Sequence, residues 1–178
     1  MAPRLGLLGL GSNIGERRSH LQAAVDGLTA AGVEVLSSSS TYDTDPVGEL
    51  LEQPSFLNAC LRVRTALAPL ELLDEVKRIE RVLGREAGAV RHAPRAIDVD
   101  VLMLDDLELQ HERMSLPHDQ LLTRRFVLIP ALELDFALCA PVDGLGLVRL
   151  ADALAALPPD EGVRWAGPPL ALPGRPSA

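Results

Sequence analysis

Asp98 and Asp100 stand one residue apart in the stretch Arg91-His-Ala-Pro-Arg95-Ala-Ile-Asp98-Val-Asp100-Val-Leu. On a β-strand, side chains two apart share a face, so both carboxylates project together while Ile97, Val99 and Val101 face the core. Neighbouring carboxylates repel unless a cation lies between them. Magnesium suits such a pair, because it takes hard oxygen ligands and is commonly held by one or two carboxylates plus phosphates. A plain polar strand face with two solvated aspartates is the alternative. Arginine surrounds the pair in sequence: Arg85, Arg91 and Arg95 precede it, and Arg113, Arg124 and Arg125 follow, with His118 among them. Guanidinium forks match phosphate oxygens in bidentate fashion, so this combination points to polyphosphate chemistry. For any one arginine, a solvated surface charge is an equal reading, and His118 after Pro117 reads equally well as a structural histidine.

A scaffold must carry these groups, and the chain has 178 residues, enough for one domain. Leu5–Leu10 reads as a buried strand and not a signal peptide, since no small-residue cleavage site follows. Leu21, Ala24, Val25 and Leu28 recur at helical spacing over residues 15–31, and Gly32 is a stop signal. Val33–Ser40 reads as a second strand, and residues 44–54 as a loop marked by Pro46, Gly48 and Pro54. Phe56–Thr65 alternates: Leu57, Ala59, Leu61 and Val63 on one face, Phe56, Asn58, Cys60, Arg62 and Arg64 on the other. Pro69 opens a helix striped by Leu72, Val76, Ile79 and Leu83 and ended by Gly84. Residues 85–94 read as loop and Ile97–Leu104 as strand. Leu121–Leu134 is ambiguous, with Pro130 breaking any long helix. Leu147–Leu157 has helical spacing. The interleaving βαββαβ predicts an α+β fold, a ferredoxin-like sandwich with an antiparallel sheet and helices packed on it. Residues 1–157 are assigned to the domain and 158–178 to a loosely ordered Pro/Gly-rich tail, anchored by Trp165.

Composition narrows the function. The net charge is −8, with Lys77 the only lysine, which argues against broad nucleic-acid binding. No Gly-Lys-Ser/Thr occurs, so a P-loop is excluded. No apolar run is long enough for a membrane span. Cys60 and Cys139 suggest neither a disulfide framework nor a metal knuckle, which fits a cytoplasmic location.

The stretch from Arg91 to Leu102 resembles the signature of the 6-hydroxymethyl-7,8-dihydropterin pyrophosphokinases. Other segments resemble the same family in order: Leu10-Gly-Ser-Asn13-Ile-Gly, Tyr42-Asp-Thr44-Asp-Pro46-Val47-Gly48, Gln53-Pro-Ser-Phe56-Leu-Asn58-Ala, Ile79-Glu80, Gly84-Arg85, Leu116-Pro117-His118 and Arg124-Arg125-Phe126-Val-Leu. Together they cover about residues 5–142. The resemblance implies transfer of pyrophosphate from MgATP to the hydroxymethyl group of a reduced pterin, releasing AMP, in folate synthesis. It implies that Asp98 and Asp100 bind two Mg²⁺ ions, and that Arg85 and Arg95 act beside them in catalysis. It implies a pterin stacked between Phe56 and Phe126, with Asn58, Thr44 and the backbone of Asp45 and Val47 at its edge. It implies ATP contacts from Glu80, Arg85, Arg91, Arg95, Arg113, Ser115, His118 and Arg124, with the backbone of Val101 near the base. The partners implied are small molecules, with no nucleic acid or membrane, in a monomer or weak homo-oligomer. The chain departs from the family pattern in the loop from Arg85 to Ala93. That loop has no second basic residue soon after Arg85, and it carries His92 where many relatives have tryptophan. Asp45 also stands where proline is common, and Lys77 where some have glutamine.

Without that resemblance, two other classes fit the residues. One is a ligand-binding module of the same fold, which would not need the aspartates and arginines together. The other is a different metal-dependent phosphoryl transferase or nuclease, against which the acidic charge speaks.

Overall fold

The computed structural model describes residues 2–46, 53–84, 94–159 and 162–174. These residues form a mixed α/β architecture, with an antiparallel sheet and, among the described residues, four helices. The sheet consists of β1 (Arg4–Ser12), β2 (Glu34–Ser38), β3 (Thr41–Thr44), β4 (Phe56–Thr65), β5 (Asp98–Leu104) and β10 (Val163–Gly167). Its order is β10-β3-β4-β1-β5, with β2 also paired to β4. Two hairpins stand apart from it: β6 (Leu109–His111) with β7 (Met114–Leu116), and β8 (Cys139–Val142) with β9 (Gly146–Arg149).

One face of the sheet is apolar because alternate positions of its central strands are. Leu8 and Leu10 of β1, Leu57, Ala59, Leu61 and Val63 of β4, and Val99 and Val101 of β5 bury against α1 (Arg17–Ala30) and α2 (Pro69–Val82). Helix α1 supplies Leu21, Ala24, Val25 and Leu28, as its spacing predicts, and α2 supplies Leu72, Val76 and Ile79. Gly32, at φ +80°, takes the left-handed conformation that ends α1. At the start of α2, the Glu71 carboxylate accepts the Ala68 N–H at 2.7 Å, and Pro69 fills the first turn, where its missing N–H costs nothing.

The other face carries a second apolar cluster, where α3 (Arg125–Leu134) and α4 (Leu150–Ala156) cover Leu7, Cys60, Leu102 and Met103. Helix α3 runs across Pro130, contrary to the expected break. Proline lacks only the bond to the Phe126 carbonyl, and tertiary burial of Val127, Leu128 and Ala131 offsets that loss.

Four further expectations are corrected. The strand expected over residues 33–40 breaks at Ser39–Ser40 and resumes as β3, so Thr44 is strand and not loop. The helical stretch expected from Leu147 begins only at Leu150; Gly146–Arg149 pairs as β9. The chain after Pro158 is not loose over residues 162–174. Backbone pairing joins β10 to β3, Leu170 is buried in the main core, and Arg18 and Gln22 of α1 bond to the carbonyls of Pro168, Pro169 and Ala171. Trp165 does not anchor this segment; its side chain is 65% exposed, and Leu170 supplies the apolar anchor.

Candidate active site

The α3 side of the sheet holds a cleft whose floor is three adjacent strands in register. Gly11 of β1 lies between Asn58 of β4 and Asp98 of β5, and Gly9 lies between Cys60 and Asp100. The row Phe56, Asn58, Cys60 therefore faces the row Asp98, Asp100 across Gly9 and Gly11 of the central strand. An added Cβ on Gly11 would sit 2.9 Å from Asn58 Oδ1, so the strand must present hydrogen there. Thr44 of β3 and Arg124, Phe126 and Val127 at the start of α3 close the cleft. Asn58 Nδ2 donates to Thr44 Oγ1 at 2.6 Å. The Arg124 guanidinium lies 5.4 Å from the Phe126 ring centre, within cation–π range.

Electrostatics mark the aspartate row. Arg95 Nη1 donates to Asp98 Oδ2 at 2.8 Å. Burial raises the Asp100 carboxyl above the usual carboxylate range, and the Asp98 charge raises it further; His118 and Lys77 oppose both. Arg95 lines the cleft, and its Nε is buried without a hydrogen-bond partner among the described residues.

A second cavity opens behind Asp100, under the β6–β7 hairpin. Asp100, Val101, Arg113, Ser115 and His118 line it, with Lys77 of α2. The Gln120 N–H donates to His118 Nδ1 at 3.1 Å, which leaves Nε2 to carry the proton of the neutral ring. Ser115 Oγ donates to Asp119 at 2.5 Å, and Arg113 pairs with Asp74 of α2.

The residues present fit magnesium. Asp98 and Asp100 offer hard oxygen donors side by side, and their mutual repulsion is what a divalent cation relieves. Among the described residues no group of three or more His, Cys, Asp or Glu could hold an ion. A metal here would complete its shell with water and phosphate, as magnesium commonly does.

Most of the residues implied by the resemblance gather in these two cavities. Thr44, Asp45, Phe56, Asn58, Arg95, Asp98, Asp100, Arg124 and Phe126 line the first; Asp100, Val101, Arg113, Ser115 and His118 line the second. Arg124, expected beside ATP, lies over Phe126 in the first. The Asp45 N–H already donates to the Gly162 carbonyl, and its carboxylate pairs with Arg164, which holds it below the usual range. Glu80 lines neither cavity. It is 1% exposed and accepts from the Val99 N–H and from Lys77, both at 2.8 Å, so it braces the aspartate strand from behind. Val47, Arg85 and Arg91, with the departures at His92 and Ala93, lie outside the described residues. Cys60 is the small buried residue its position implies, with burial holding its thiol protonated.

Sequence reasoning missed Gly9, Gly11 and Asn13. The glycines were legible, since Leu8 and Leu10 fix the apolar face of β1 and so place residues 9 and 11 opposite. Asn13 is buried; its side chain accepts the Arg95 N–H at 2.7 Å and donates to Gln53 and the Pro54 carbonyl at 3.0 and 3.3 Å. It ties the segment before β4 to the segment before β5, a long-range role that local pattern does not reveal.

Residues 7–136 match the model of the 7,8-dihydro-6-hydroxymethylpterin-pyrophosphokinase (HPPK) family. The chain belongs to this family. Two similar relatives are named 2-amino-4-hydroxy-6-hydroxymethyldihydropteridine pyrophosphokinase. The one from Bacillus subtilis is 38% identical over 161 residues, covering 90% of this chain and 89% of the relative. The one from Methylorubrum extorquens is 40% identical over 153 residues, covering 85% and 92%. A folate synthesis bifunctional protein of Arabidopsis thaliana is 37% identical over 72% of this chain but only 26% of its own length. The chain thus spans about a quarter of the length of the plant bifunctional proteins it matches. A solved HPPK-DHPS structure in complex with substrates shares the fold, with a TM-score of 0.65 at 12% identity, over 88% of this chain and 43% of that one. Among the described residues no helix is long and apolar enough to cross a membrane.

Proposed function

We propose that this chain transfers pyrophosphate from MgATP to the hydroxymethyl group of 6-hydroxymethyl-7,8-dihydropterin, releasing AMP, in folate biosynthesis. One observation carries the reading: an aromatic–amide row and an acidic row face each other across a glycine floor, and Asp100 belongs to both cavities. A flat heteroaromatic would stack between Phe56 and Phe126, its polar edge read by Asn58 and Thr44. The nucleotide would occupy the second cavity, with Arg113 and the His118 Nε2–H as donors, the Ser115 hydroxyl oxygen as an acceptor, and the backbone of Val101 near the base. Its phosphates would reach over Asp100 into the first. Glu80 supports this arrangement through the aspartate strand, and Arg85 and Arg91 belong to the phosphate contacts.

The substrate hydroxyl oxygen forms a bond to the β-phosphorus. The bond from that phosphorus to the α–β bridging oxygen breaks, and its electron pair leaves with AMP. Asp98 and Asp100 would hold magnesium, two ions in the full reading, which supplies charge neutralisation to the phosphates when bound. Arg95 and Arg124 add positive charge from the protein beside the acidic row. Stacking and edge hydrogen bonds hold the hydroxymethyl group in line. The hydroxyl proton passes to water or a nearby carboxylate.

The unit β1-α1-β2/β3-β4-α2-β5, with strand order β3-β4-β1-β5, supports a ferredoxin-like arrangement. A cytoplasmic monomer or weak homo-oligomer acting on small molecules completes the proposal, with the catalytic domain extending past residue 157 to include β10 and Leu170, which belong to its sheet and core. The test is incubation of the purified protein with MgATP and the hydroxymethyl pterin, followed by separation of nucleotides. AMP in step with pterin diphosphate is expected. Formation of ADP, or no pterin-dependent turnover, refutes the reading.

A further inference from the structure

We propose that Glu133 is a positioning residue that fixes the spacing of the two pterin-cleft walls, and so sets affinity for the pterin without setting affinity for the nucleotide. The inference rests on the pterin reading of the cleft given above.

Glu133 lies in the last turn of α3, away from the cleft. Both its oxygens accept the Ser40 N–H at 3.0 Å, Oε1 accepts from Ser40 Oγ at 2.8 Å, and Oε2 accepts from Tyr42 OH at 3.0 Å. Ser40 sits in the break between β2 and β3, where its buried N–H leaves the ladder and requires an acceptor. One carboxylate thus fastens α3 to the start of β3.

Each fastened element carries a wall of the cleft. Phe126 lies seven residues before Glu133 on α3, about 10 Å along the same helix. Thr44 lies two residues after Tyr42 on β3, on the same face, and holds Asn58. The rest of the α3 contact with the sheet is mainly apolar, through Val127, Leu128 and Ala131. Apolar contact is non-directional and resists sliding weakly. The carboxylate bonds are directional, so they set where along the sheet α3 stops. The nucleotide cavity, built from the β6–β7 hairpin and α2, lies outside this linkage.

Steady-state kinetics and calorimetry on Glu133→Ala, Glu133→Gln, Ser40→Ala and Tyr42→Phe test the proposal. Calorimetry measures the pterin against protein saturated with a non-hydrolysable ATP analogue. Glu133→Ala is expected to weaken the pterin about tenfold in both KM and Kd, with KM for MgATP changed less than about twofold. Glu133→Gln, which keeps one acceptor, is expected to recover part of the loss. Tyr42→Phe and Ser40→Ala are expected to lose about two- to threefold each. If Glu133→Ala does not fold, the three milder variants carry the same comparison. Equal weakening of both substrates, a fall in kcat alone, or no change overturns the proposal. Calorimetry separates it from the function: a wild type that binds pterin but releases no AMP refutes the pyrophosphokinase reading while the Glu133 effect on Kd is still read. Absence of pterin binding in the wild type refutes both.

Discussion

The two cavities that meet at Asp100 are built in opposite ways. The first is floored by three hydrogen-bonded strands, so every floor residue has its place fixed by register. The second is roofed by a short hairpin and walled by α2, and its ion pair between Arg113 and Asp74 is largely exposed. A site on a sheet is preorganised for a rigid ring. A site under a hairpin suits a longer, more flexible ligand. Asp100 is the residue whose loss should erase the contrast. Asp98→Ala or Asp100→Ala is expected to lower kcat by about 10³-fold or more, because magnesium coordination would fail at the junction. Thermal melts should show the fold retained. Either variant turning over at the wild-type rate sinks the metal assignment.

A smaller change should strike the strand-built cavity alone. Gly11→Ala places a Cβ 2.9 Å from Asn58 Oδ1, so the Asn58 amide must shift, which is expected to weaken its 2.6 Å bond to Thr44. KM for the pterin is expected to rise about tenfold, with KM for MgATP nearly unchanged. Gly9→Ala has the Leu102 side chain as its nearest neighbour, at 3.4 Å or more, and should cost about two- to threefold. Equal effects at both positions would mean that the missing Cβ at 11 is not what opens the cleft. The converse substitution, Arg113→Ala, is expected to raise KM for MgATP about three- to tenfold and to leave the pterin KM alone. Its cost in stability should be below about 1 kcal/mol, since the pair with Asp74 is exposed. Denaturant midpoints check that arm.

The same contrast explains what the sequence made legible. Period-two alternation in β4 and β5 assigned both faces correctly, and with them Phe56, Asn58, Asp98 and Asp100. Helical spacing assigned α1 and α2. The β6–β7 and β8–β9 hairpins were not legible, because strands of three or four residues carry too few alternations to stand out. Strand β10 was hidden by the Pro/Gly-rich composition around it. Its attachment is backbone pairing to an edge strand plus the buried Leu170, and neither leaves a periodic mark. Glu133 and Asn13 act through residues far away in sequence, which no local window contains.

The smallest expected effect probes the wall of the strand-built cavity from behind. Tyr42 is the only tyrosine, so absorbance of tyrosinate reports it alone. Burial, then the hydrogen bond to Glu133 and the charge of that carboxylate, push its pKa from 10.0 up to about 12. The folded state therefore holds the phenol proton more tightly than the unfolded chain. The associated stability is fully present below pH 10 and is lost as pH rises toward 12. In the wild type the tyrosinate midpoint is expected near 12, and in Glu133→Gln it should fall part of the way toward 10, because burial remains while the charge is gone. An unchanged midpoint would mean that the carboxylate does not hold Tyr42, and that the strand-built cavity lacks the brace that sets it apart from the one under the hairpin.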